Sequence, residues 1–428
     1  MILIPIIKKI YLLKKSKKYL HLNNIDVTLP LRKTNPIMNN QIIKAIYFQK
    51  LQSIAQLSKT FNKSIPLITK SVNSLLEMNL IEGNDLAAST GGRRAIQFKI
   101  NNNLNTYTLV ISLDQFYTSI YIFDLENNII AEDVDNYNPL KNNNKALETI
   151  ISLTETIITE SKIPVTDFLG MGISMPGFVD TEKGINDSYD KQSKLHHIKK
   201  HISDHFNIPT IIENDSTCIA FSEQKFGAAK NIKSSLVINL NWGVGLGMIV
   251  NDQIFKGSSG YAGEFSHIPL SDSNELCSCG KKGCLEVEAS LTAAVKNVQT
   301  AINAGEKSSL EGDQNNNLLA QGDALLESAL NGDQLAVANL GKIGYMLGKG
   351  IATLIHILNP EAIIISGRGA RAGTILMPQI QTAINEFCIP RLAQATQLKI
   401  SDTNKQAQSL GTSAFIIDNF IQTLFHTN

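Results

Sequence analysis

Hydrophobic residues between positions 39 and 100 recur with the spacing of three short helices and a following strand. In chain order the apolar positions are Ile42, Ile43, Ile46 and Tyr47, then Ile54, Leu57 and Phe61, and then Ile68, Val72, Leu75 and Leu76. Ser64 stands where the third helix would have its N-cap, and Pro66 is tolerated in a first helical turn. With a strand over residues 95–100, the pattern predicts a winged helix-turn-helix.

Polar residues on the third helix and basic residues before the strand are the candidate DNA contacts. They are Ser64, Thr69, Lys70 and Asn73 on the helix, with Arg93 and Arg94 in a wing hairpin over residues 88–94. A third helix can enter the major groove of double-stranded operator DNA, while wing arginines reach the backbone or the minor groove. The same pattern also fits a helical protein-interaction module with a solvated basic loop.

From Tyr107 onward, strands rich in β-branched residues alternate with helices. Strands are predicted over residues 108–113, 119–124, 129–133, 168–175, 236–239 and 362–366. Helices are predicted over residues 146–161 and 341–358 and from Gly411 onward, with an exposed polar loop over residues 305–321. This order indicates an α/β fold.

Composition places this pattern in a globular chain of two or three domains. The chain has 428 residues, of which 43% are hydrophobic and 18% are charged, and its formal net charge is +1. Any contact with nucleic acid must therefore come from a local basic patch rather than from the whole molecule. The five cysteines do not form a disulfide framework, which indicates a reducing cytoplasm.

Residues 1–37 combine short apolar bursts with many lysines. The apolar run over residues 1–7 is too short to span a bilayer, and the segment lacks the cleavage site of a signal peptide. We expect a basic, poorly ordered arm, with a basic helix on a membrane surface or a natural start at Met38 as alternatives. The expected domains are this arm, a DNA-binding domain over residues 38–100 and a ligand-binding domain over residues 106–428.

One imidazole and three thiols lie close together in sequence, with the spacing H-x9-C-x-C-x4-C. They belong to His267, Cys277, Cys279 and Cys284. Zinc prefers four such ligands in a closed tetrahedron, and Gly280 and Gly283 let the backbone turn tightly enough for the thiols to share one ion. The spacing predicts a structural Cys3His zinc site, and a few buried thiols beside a core histidine are the alternative.

Carboxylates flank this segment at Glu264 and Glu286, and another lies at Asp215 between a strand and a helix. From position alone, the two glutamates fit surface charge better than hydrogen bonding to a polyol. Asn214 and Asp215 can be explained as a helix cap. Asp215 could equally be a general base for a sugar hydroxyl. The glycines of segment 243–247 are by themselves a weak signal for phosphate binding.

Taken together, these segments resemble the ROK family (repressors, open reading frames, kinases). The matches are the G-E-x-G-H and C-x-C-G-x-x-G-C-L-E signatures, with Ser266 in place of one glycine, and the winged helix-turn-helix, with Leu67 in place of the usual threonine. The resemblance runs from about residue 39 to the C-terminus. It implies an N-terminal winged helix-turn-helix followed by a two-lobed, actin-like sugar-kinase fold.

The resemblance also implies roles for the residues whose function the sequence pattern left undecided. It implies that Asn214, Asp215, Glu264, His267 and Glu286 contact a sugar, and that the metal is structural and shapes the sugar pocket. His267 would serve both the metal and the sugar through its two ring nitrogens. Asp215 would be a catalytic base only in a member that is a kinase.

Three substitutions fall where the family's kinases bind a nucleotide. Phe116 replaces the middle glycine of D-x-G-x-T, Trp242 replaces a small hydroxyl residue before G-x-G-x-G, and Arg368 replaces a glycine near the base. A side chain at position 116 would occupy space that a phosphate needs. We therefore expect a protein that is not an enzyme, with an ATP-dependent sugar kinase that uses Asp215 as its base as the alternative.

The expected function is a sugar-responsive repressor of genes for carbohydrate uptake or catabolism. Its expected partners are an operator in double-stranded DNA and a sugar or sugar-phosphate effector, bound by a homodimer or homotetramer whose paired heads read two half-sites. Zn²⁺ is the expected cofactor, and no membrane partner is expected. A repressor controlled by a protein of a sugar-transport system, without a small effector, is a further alternative.

Overall fold

The N-terminal helices and a small sheet form the winged helix-turn-helix. The computed structural model describes residues 35–84, 95–311, 317–403 and 406–426. The first elements are α1 (Pro36–Gln49), β1 (Gln52–Ser53), α2 (Ile54–Phe61), α3 (Ile65–Glu77), β2 (Ile81–Asn84) and β3 (Gln97–Ile100). The strands pair antiparallel in the order β1-β3-β2, so β3 lies in the middle of the sheet.

Local chemistry sets the boundaries of these helices. Ser53 begins α2 with a capping box, in which its hydroxyl accepts from the N–H of Gln56 and the Gln56 side chain accepts from the N–H of Ser53. Asn62 ends α2 in the left-handed conformation, with a φ of 50°. Ser64 occupies the N-cap position of α3, although its side chain makes no capping hydrogen bond.

The apolar positions of the winged helix-turn-helix pack into a core of their own. Ile68, Val72 and Leu75 of α3 are fully buried, as their helical spacing predicts, whereas Leu76 is half-buried. They meet the buried face of α1, which includes Ile42 and other residues at helical spacing. The exposed face of α3 is thereby left for its polar residues.

The first lobe is a mixed five-stranded sheet covered by helices. Its elements are β4 (Tyr107–Leu113), β5 (Tyr117–Asp124), β6 (Ile129–Tyr137), α4 (Ala146–Ser161), β7 (Phe168–Met175), β8 (Val179–Asp180), β9 (Ile185–Asn186), α5 (Ile198–Phe206) and β10 (Thr210–Asn214). The strand order is β10-β7-β4-β5-β6, with β10, β7 and β4 parallel. Because parallel strands end at the same edge, Pro176 after β7 and Asp215 after β10 come together there.

The second lobe contains a second five-stranded sheet and most of the helices. Its elements are α6 (Asp215–Lys225), β11 (Ser235–Leu240), β12 (Val244–Val250), β13 (Gln253–Ile254), α7 (Glu286–Ala289), α8 (Leu291–Asn303), α9 (Leu318–Leu330), α10 (Gln334–Leu358), β14 (Ala362–Ser366), α11 (Gly373–Phe387), α12 (Pro390–Ala395) and β15 (Gln397–Ile400). The strand order is β13-β12-β11-β14-β15. The last helix, α13 (Ala407–Phe420), returns to pack against β4, β7 and α6.

Several elements differ from the bounds that the sequence predicted. The helix predicted over residues 341–358 is Gln334–Leu358, the strand predicted over residues 129–133 is Ile129–Tyr137, and helix Leu318–Leu330 begins within the polar loop predicted over residues 305–321. The last helix begins at Ala407 rather than at Gly411. Gly411 lies where this helix crosses α6, since a Cβ there would come within 1.8 Å of the carbonyl oxygen of Cys218. Segment 243–247 is mostly strand β12 rather than a loop. A Cβ at Gly247 would lie 2.3 Å from that of Ala220, so this glycine permits close packing between α6 and β12.

The remaining predictions about chain organisation concern its ends. Among the described helices, none is both long and apolar enough to cross a lipid bilayer. By its internal contacts the chain divides into residues 1–36 and residues 37–428. The arm expected over residues 1–37 lies almost wholly outside the described residues, and the domain limits at 38–100 and 106–428 stay predictions.

Candidate functional site

A cavity of about 670 Å³ lies between the two lobes. All five residues for which a sugar contact was expected line it: Asn214, Asp215, Glu264, His267 and Glu286. They come from four places in the chain, namely the end of β10, the start of α6, the segment after β13 and the start of α7. A volume of this size is within the range of about 300–1,000 Å³ found for small-molecule sites.

The start of α6 presents an amide and a carboxyl to this cavity. Asn214 is the N-cap, because its Oδ1 accepts from the N–H of Thr217 at 3.1 Å. Asp215 Oδ1 accepts from the N–H of Ser216 at 2.7 Å, and Asp215 Oδ2 lies 3.4 Å from Nδ2 of Asn239. Asn214 is therefore the cap, whereas Asp215 faces the cavity.

Burial changes the acidity of Asp215. Removal from water disfavours the carboxylate and raises the pKa of Asp215 to about 6, and the nearby acidic Asp114 and Glu264 add to the rise. Hydrogen bonds from the backbone and hydroxyl of Ser216 oppose it. A carboxyl with this pKa is ionised at neutral pH and can accept a hydrogen bond from a sugar hydroxyl.

The four predicted metal ligands come together beside the cavity. The ligand atoms of His267, Cys277, Cys279 and Cys284 all lie within 4.8 Å of one another. Cys279 Sγ is 3.5 Å from Cys284 Sγ, and Cys277 Sγ is 3.4 Å from His267 Nδ1. Tetrahedral zinc with bonds of about 2.3 Å to sulfur and about 2.0 Å to nitrogen needs separations of about 3.8 Å between two sulfurs and about 3.5 Å between sulfur and nitrogen. These donors therefore fit one such ion with only small movements.

Backbone turns and burial explain how the four ligands meet. Gly280 and Gly283 have φ values of 84° and 79°, in the left-handed region that glycine adopts without strain. Cys277 and Cys284 are buried, whereas Cys279 is exposed. The other cysteines, Cys218 and Cys388, are buried and do not belong to the cluster. Among the described residues there is thus one cluster of thiols that could hold a metal.

His267 connects the thiol cluster to the cavity through its two ring nitrogens. Nδ1 faces Cys277, while Nε2 lies 3.5 Å from Oε2 of Glu264. Glu286 Oε2 accepts from the Cys277 thiol at 3.6 Å. A metal held by the cluster would thus fix the position of the imidazole and, through it, that of Glu264, while its bond to Cys284 would hold the backbone two residues before Glu286.

The first hairpin does not leave its amides free for a phosphate. Asp114 Oδ1 accepts from the N–H of Phe116 and from the N–H of Tyr117, both at 2.7 Å. Trp242 Nε1 donates to the other oxygen of Asp114 at 3.2 Å. Burial raises the pKa of Asp114, and these hydrogen bonds oppose the rise. The carboxyl of Asp114 therefore occupies the donors that a nucleotide would require.

The side chains of the three substituted positions pack together. Phe116 meets Trp242 edge to face with ring centroids 6.4 Å apart, and the Arg368 guanidinium lies 5.8 Å from the Trp242 ring. Arg368 Nη2 is 2.5 Å from Oδ1 of Asp135. A smaller cavity of about 260 Å³ remains between Arg368 and Tyr121. The roles of Asp114 and Asp135 here were not expected from the sequence.

The predicted DNA contacts lie partly on an accessible face and partly outside the described residues. Ser64, Lys70 and Asn73 are exposed on α3. Thr69 is half-buried, and its hydroxyl donates to the carbonyl oxygen of Ile65 at 2.8 Å. Arg93 and Arg94 fall in residues 85–94, outside the described part of the chain.

An aromatic contact joins α6 to the first helix of the winged helix-turn-helix. The ring of Phe48, on α1, lies 6.0 Å from that of Phe221 and 6.1 Å from that of Phe226. The Lys225 ammonium is 5.1 Å from the Phe48 ring centroid. Periodicity marks Phe48 only as an apolar helix residue, so nothing in the sequence indicated this contact.

Polar contacts hold α1 in place beside this aromatic contact. Tyr47 donates its hydroxyl hydrogen to Oδ1 of Asn127, in the turn between β5 and β6, at 2.5 Å. Lys44 pairs with Asp418 of α13 at 2.9 Å. The winged helix-turn-helix is therefore attached to the first lobe, to α13 and to α6.

The geometry of these lobes is shared with known proteins. The ROK family sequence profile matches residues 111–419. The chain belongs to the ROK family. It is 28% identical over 382 residues to the xylose repressor of Bacillus spizizenii, covering 89% of this chain and 94% of the repressor. It is 29% identical over 320 residues to the transcriptional dual regulator NagC of Escherichia coli, covering 74% of this chain and 77% of NagC.

Crystal structures place this ROK protein beside both regulators and kinases. A ROK family transcriptional regulator, a homologue of the Escherichia coli Mlc protein, superposes with a TM-score of 0.73 at 26% identity, covering 92% of this chain and 99% of that one. A ROK glucokinase from Streptomyces griseus, in complex with glucose and AMPPNP, gives 0.62 at 22% identity, covering 72% and 98%. The predicted fold, a winged helix-turn-helix followed by a two-lobed ROK domain, is confirmed.

Proposed function

We propose that this ROK protein is a sugar-responsive, DNA-binding transcriptional regulator that represses genes of carbohydrate uptake or catabolism. The observation that carries the proposal is the placement of helix α6. Its first residue, Asp215, lines the cavity, and its last turn meets the winged helix-turn-helix through Phe221 and Lys225. The similarity to proteins named xylose repressor and NagC supports the same function.

Helix α6 can carry a displacement from one end to the other. Its 11 residues span about 16 Å at 1.5 Å per residue. It is clamped between β12 and α13, where Gly247 and Gly411 allow close approach. Because packed elements shift as units, a sugar that draws the lobes together would move both ends of α6. Differential affinity of the sugar for the two arrangements then changes the affinity for DNA.

Within this proposal, the cavity binds a sugar or a sugar phosphate without phosphorylating it. Asn214, Asp215, Glu264, His267 and Glu286 supply the hydrogen bonds. Phosphoryl transfer depends mostly on positioning and on charge stabilisation around the nucleotide phosphates. Phe116, Trp242 and Arg368 fill that region, so Asp215 acts as a hydrogen-bond acceptor. A sugar kinase with Asp215 as base is the competing candidate, and the glucokinase shares its fold.

The thiol cluster is proposed to hold one structural Zn²⁺. Three thiolates and an imidazole are a donor set that zinc favours, and four protein ligands leave no open coordination position. Such an ion supplies rigidity rather than reactivity. His267, Cys277, Cys279 and Cys284 hold it, and the effect on the cavity is to orient Glu264 through His267 and to fix the backbone that leads from Cys284 to Glu286.

The proposed DNA contacts and assembly are those of an oligomer that binds two half-sites with two DNA-binding domains. Ser64, Thr69, Lys70 and Asn73 read or flank the major groove, and Arg93 and Arg94 bind the duplex from the wing. A homodimer or homotetramer would place two heads on adjacent half-sites. A protein of a sugar-transport system is a further proposed partner, testable by adding it in the absence of sugar.

Replacement of Phe48 by alanine tests this link between cavity and DNA. Operator fragments would be selected from genomic DNA, and D-xylose, D-glucose and N-acetyl-D-glucosamine would serve as effector probes. Phe48→Ala should change sugar affinity and sugar-free DNA affinity by less than about threefold, yet bring the ratio of DNA affinities with and without sugar close to one. Allosteric couplings usually span about 5–150-fold, so the loss is measurable.

Phe387→Ala is the matched control, because Phe387 is a partly exposed phenylalanine on α11, outside this contact. It should keep the wild-type ratio. A Phe48→Ala protein with an undiminished ratio would overturn the role of α6. A wild-type protein that binds no DNA, or whose DNA affinity ignores every sugar, would overturn the proposed function.

A further inference from the structure

The cavity between the lobes carries a strong excess of acidic groups. Among the described residues, its lining includes five carboxyl groups and a single lysine. The carboxyl groups belong to Asp114, Asp187, Asp215, Glu264 and Glu286, and the lysine is Lys141. Lys141 is exposed, so its ammonium is well solvated. Arg368, whose guanidinium lies over the ring of Trp242, is paired with Asp135 and lines the smaller cavity instead.

Helix α6 does not offset this charge for an incoming anion. A helix N-terminus usually attracts phosphate through its free N–H groups. Here the N–H of Ser216 already donates to Asp215, and the N–H of Thr217 already donates to Asn214. The first turn thus holds an acidic side chain of its own, which satisfies the helix dipole.

The glycine segment of the second lobe is also occupied by negative charge. A Cβ built on Gly243 would lie 2.5 Å from Oε1 of Glu286, so this carboxylate rests against the backbone that a phosphate would approach. The metal cluster gives no help, because Zn²⁺ with three thiolates and a neutral imidazole has a formal charge of −1. Neither the N-terminus of α6 nor the glycine segment is therefore available to bind a phosphate.

We propose that the effector of this protein is an unphosphorylated sugar, and that the acidic cavity rejects the phosphate esters of the same sugar. The inference rests on the proposed sugar-responsive function and narrows its ligand class. Sugar hydroxyls donate hydrogen bonds to carboxylates, whereas a phosphate dianion has only acceptors and would meet like charges in a partly desolvated space. Specificity here comes from repulsion as well as from attraction.

Binding measurements on the full-length protein test the inference. Calorimetry at pH 7.5 would compare D-glucose with glucose 6-phosphate and N-acetyl-D-glucosamine with its 6-phosphate, and would include D-xylose. At least one free sugar should bind, and its ester should bind at least tenfold more weakly. The ratio should shrink as ionic strength rises, because salt screens the repulsion.

Asp187→Asn identifies the source of that preference. Asp187 lines the cavity and accepts a hydrogen bond from the Tyr261 hydroxyl at 2.6 Å, which an asparagine oxygen can also accept. The variant should reduce the ratio of free-sugar affinity to phosphate-ester affinity at least threefold. Glu182→Gln, at an exposed position in the turn between β8 and β9 and outside the cavity lining, should leave this ratio unchanged.

Each outcome separates the inference from the function on which it rests. A phosphate ester that binds as tightly as its free sugar and changes DNA affinity would overturn the inference while leaving the sugar-responsive function intact. A free-sugar preference that Asp187→Asn and Glu182→Gln reduce equally would also overturn it. Failure of every sugar and every ester to bind would overturn the proposed function, and the inference with it.

Discussion

Asp215→Asn is expected to stabilise the protein at neutral pH while weakening its sugar binding. Burial raises the pKa of Asp215 from 3.8 to about 6, so the ionised carboxylate is disfavoured in the folded state. A shift of about 2.2 units corresponds to about 3 kcal/mol at 1.36 kcal/mol per unit. Asparagine removes the charge and keeps an acceptor for the N–H of Ser216, which donates to Oδ1 at 2.7 Å.

Two features of the site make the expected gain in stability smaller than the value of about 3 kcal/mol that the pKa shift alone gives. Asp215 lies at the wall of an open cavity, so solvent screens part of the penalty. The amide of the variant would also face Nδ2 of Asn239, which lies 3.4 Å from Oδ2. A lost hydrogen bond of this kind is worth about 0.5–1.5 kcal/mol. We therefore expect a net stabilisation of about 1–2 kcal/mol at pH 7.5.

The pH dependence has a definite sign. The folded state binds the proton of Asp215 more tightly than the unfolded state, so wild-type stability relative to the variant falls as pH rises from about 4 to about 6. Above that interval the difference is constant. The groups facing Asp215 are Asp114, Glu264, Ser216 and Asn239. Thermal unfolding of both proteins between pH 4.5 and 8 measures the effect.

A surface substitution provides the control for Asp215→Asn. Asp402→Asn changes an exposed carboxylate outside the cavity lining and should show no comparable pH-dependent gain. Sugar binding by Asp215→Asn should weaken by roughly tenfold or more, because hydrogen bonds to charged groups contribute about 1.5–3 kcal/mol. An Asp215→Asn protein that is less stable at pH 7.5, or a difference that does not vary with pH, would refute this reasoning.

Three further predictions concern the metal, the wing and catalysis. Purified protein should contain about one zinc per chain. Cys279→Ala should lose the zinc and unfold at lower temperature, whereas Cys388→Ala should retain it. A Cys279→Ala protein with its full zinc content would refute the ligand set. The double substitution of Arg93 and Arg94 by alanine should lower the salt slope of operator binding by about two. Substitution of Arg391, an exposed arginine of α12, should leave the slope unchanged. Unchanged operator binding by the double variant would show that the wing does not contact DNA. Coupled assays with Mg-ATP and common hexoses, N-acetylhexosamines and xylose should show no turnover; a rate near about 1 per second that Asp215→Ala abolishes would identify a kinase.

Most of the fold could be predicted because its signals are local. Helical spacing located the buried face of α3, and strand β7 was predicted over the residues that form it, since its continuous apolar run matches a strand buried on both faces. The ligand spacing around Cys277 was equally informative, because glycine turns bring the thiols together within one short segment. In these cases one stretch of chain contains both the pattern and its consequence.

Features made by distant segments could not be predicted in this way. The glycines of segment 243–247 were a weak signal for phosphate binding, but the small size of Gly245 and Gly247 serves the packing of α6 against β12. Asp114 was expected in a degenerate hairpin, yet its bonds to Trp242 depend on how the two lobes meet. The contact between Phe48 and Phe221 joins residues far apart in sequence, and neither ring has a pattern that names its partner.

Operator affinity measured with and without sugar, in the presence and absence of Mg-ATP, tests the proposed function as a whole. Full-length protein and an operator fragment selected from genomic DNA would be titrated with the free sugar that binds best. An unphosphorylated sugar alone should change the DNA affinity at least about fivefold, the low end of usual allosteric couplings, and Mg-ATP should add nothing. A response that requires ATP hydrolysis, or a DNA affinity that no sugar alters, would contradict a sugar sensor built on a kinase fold.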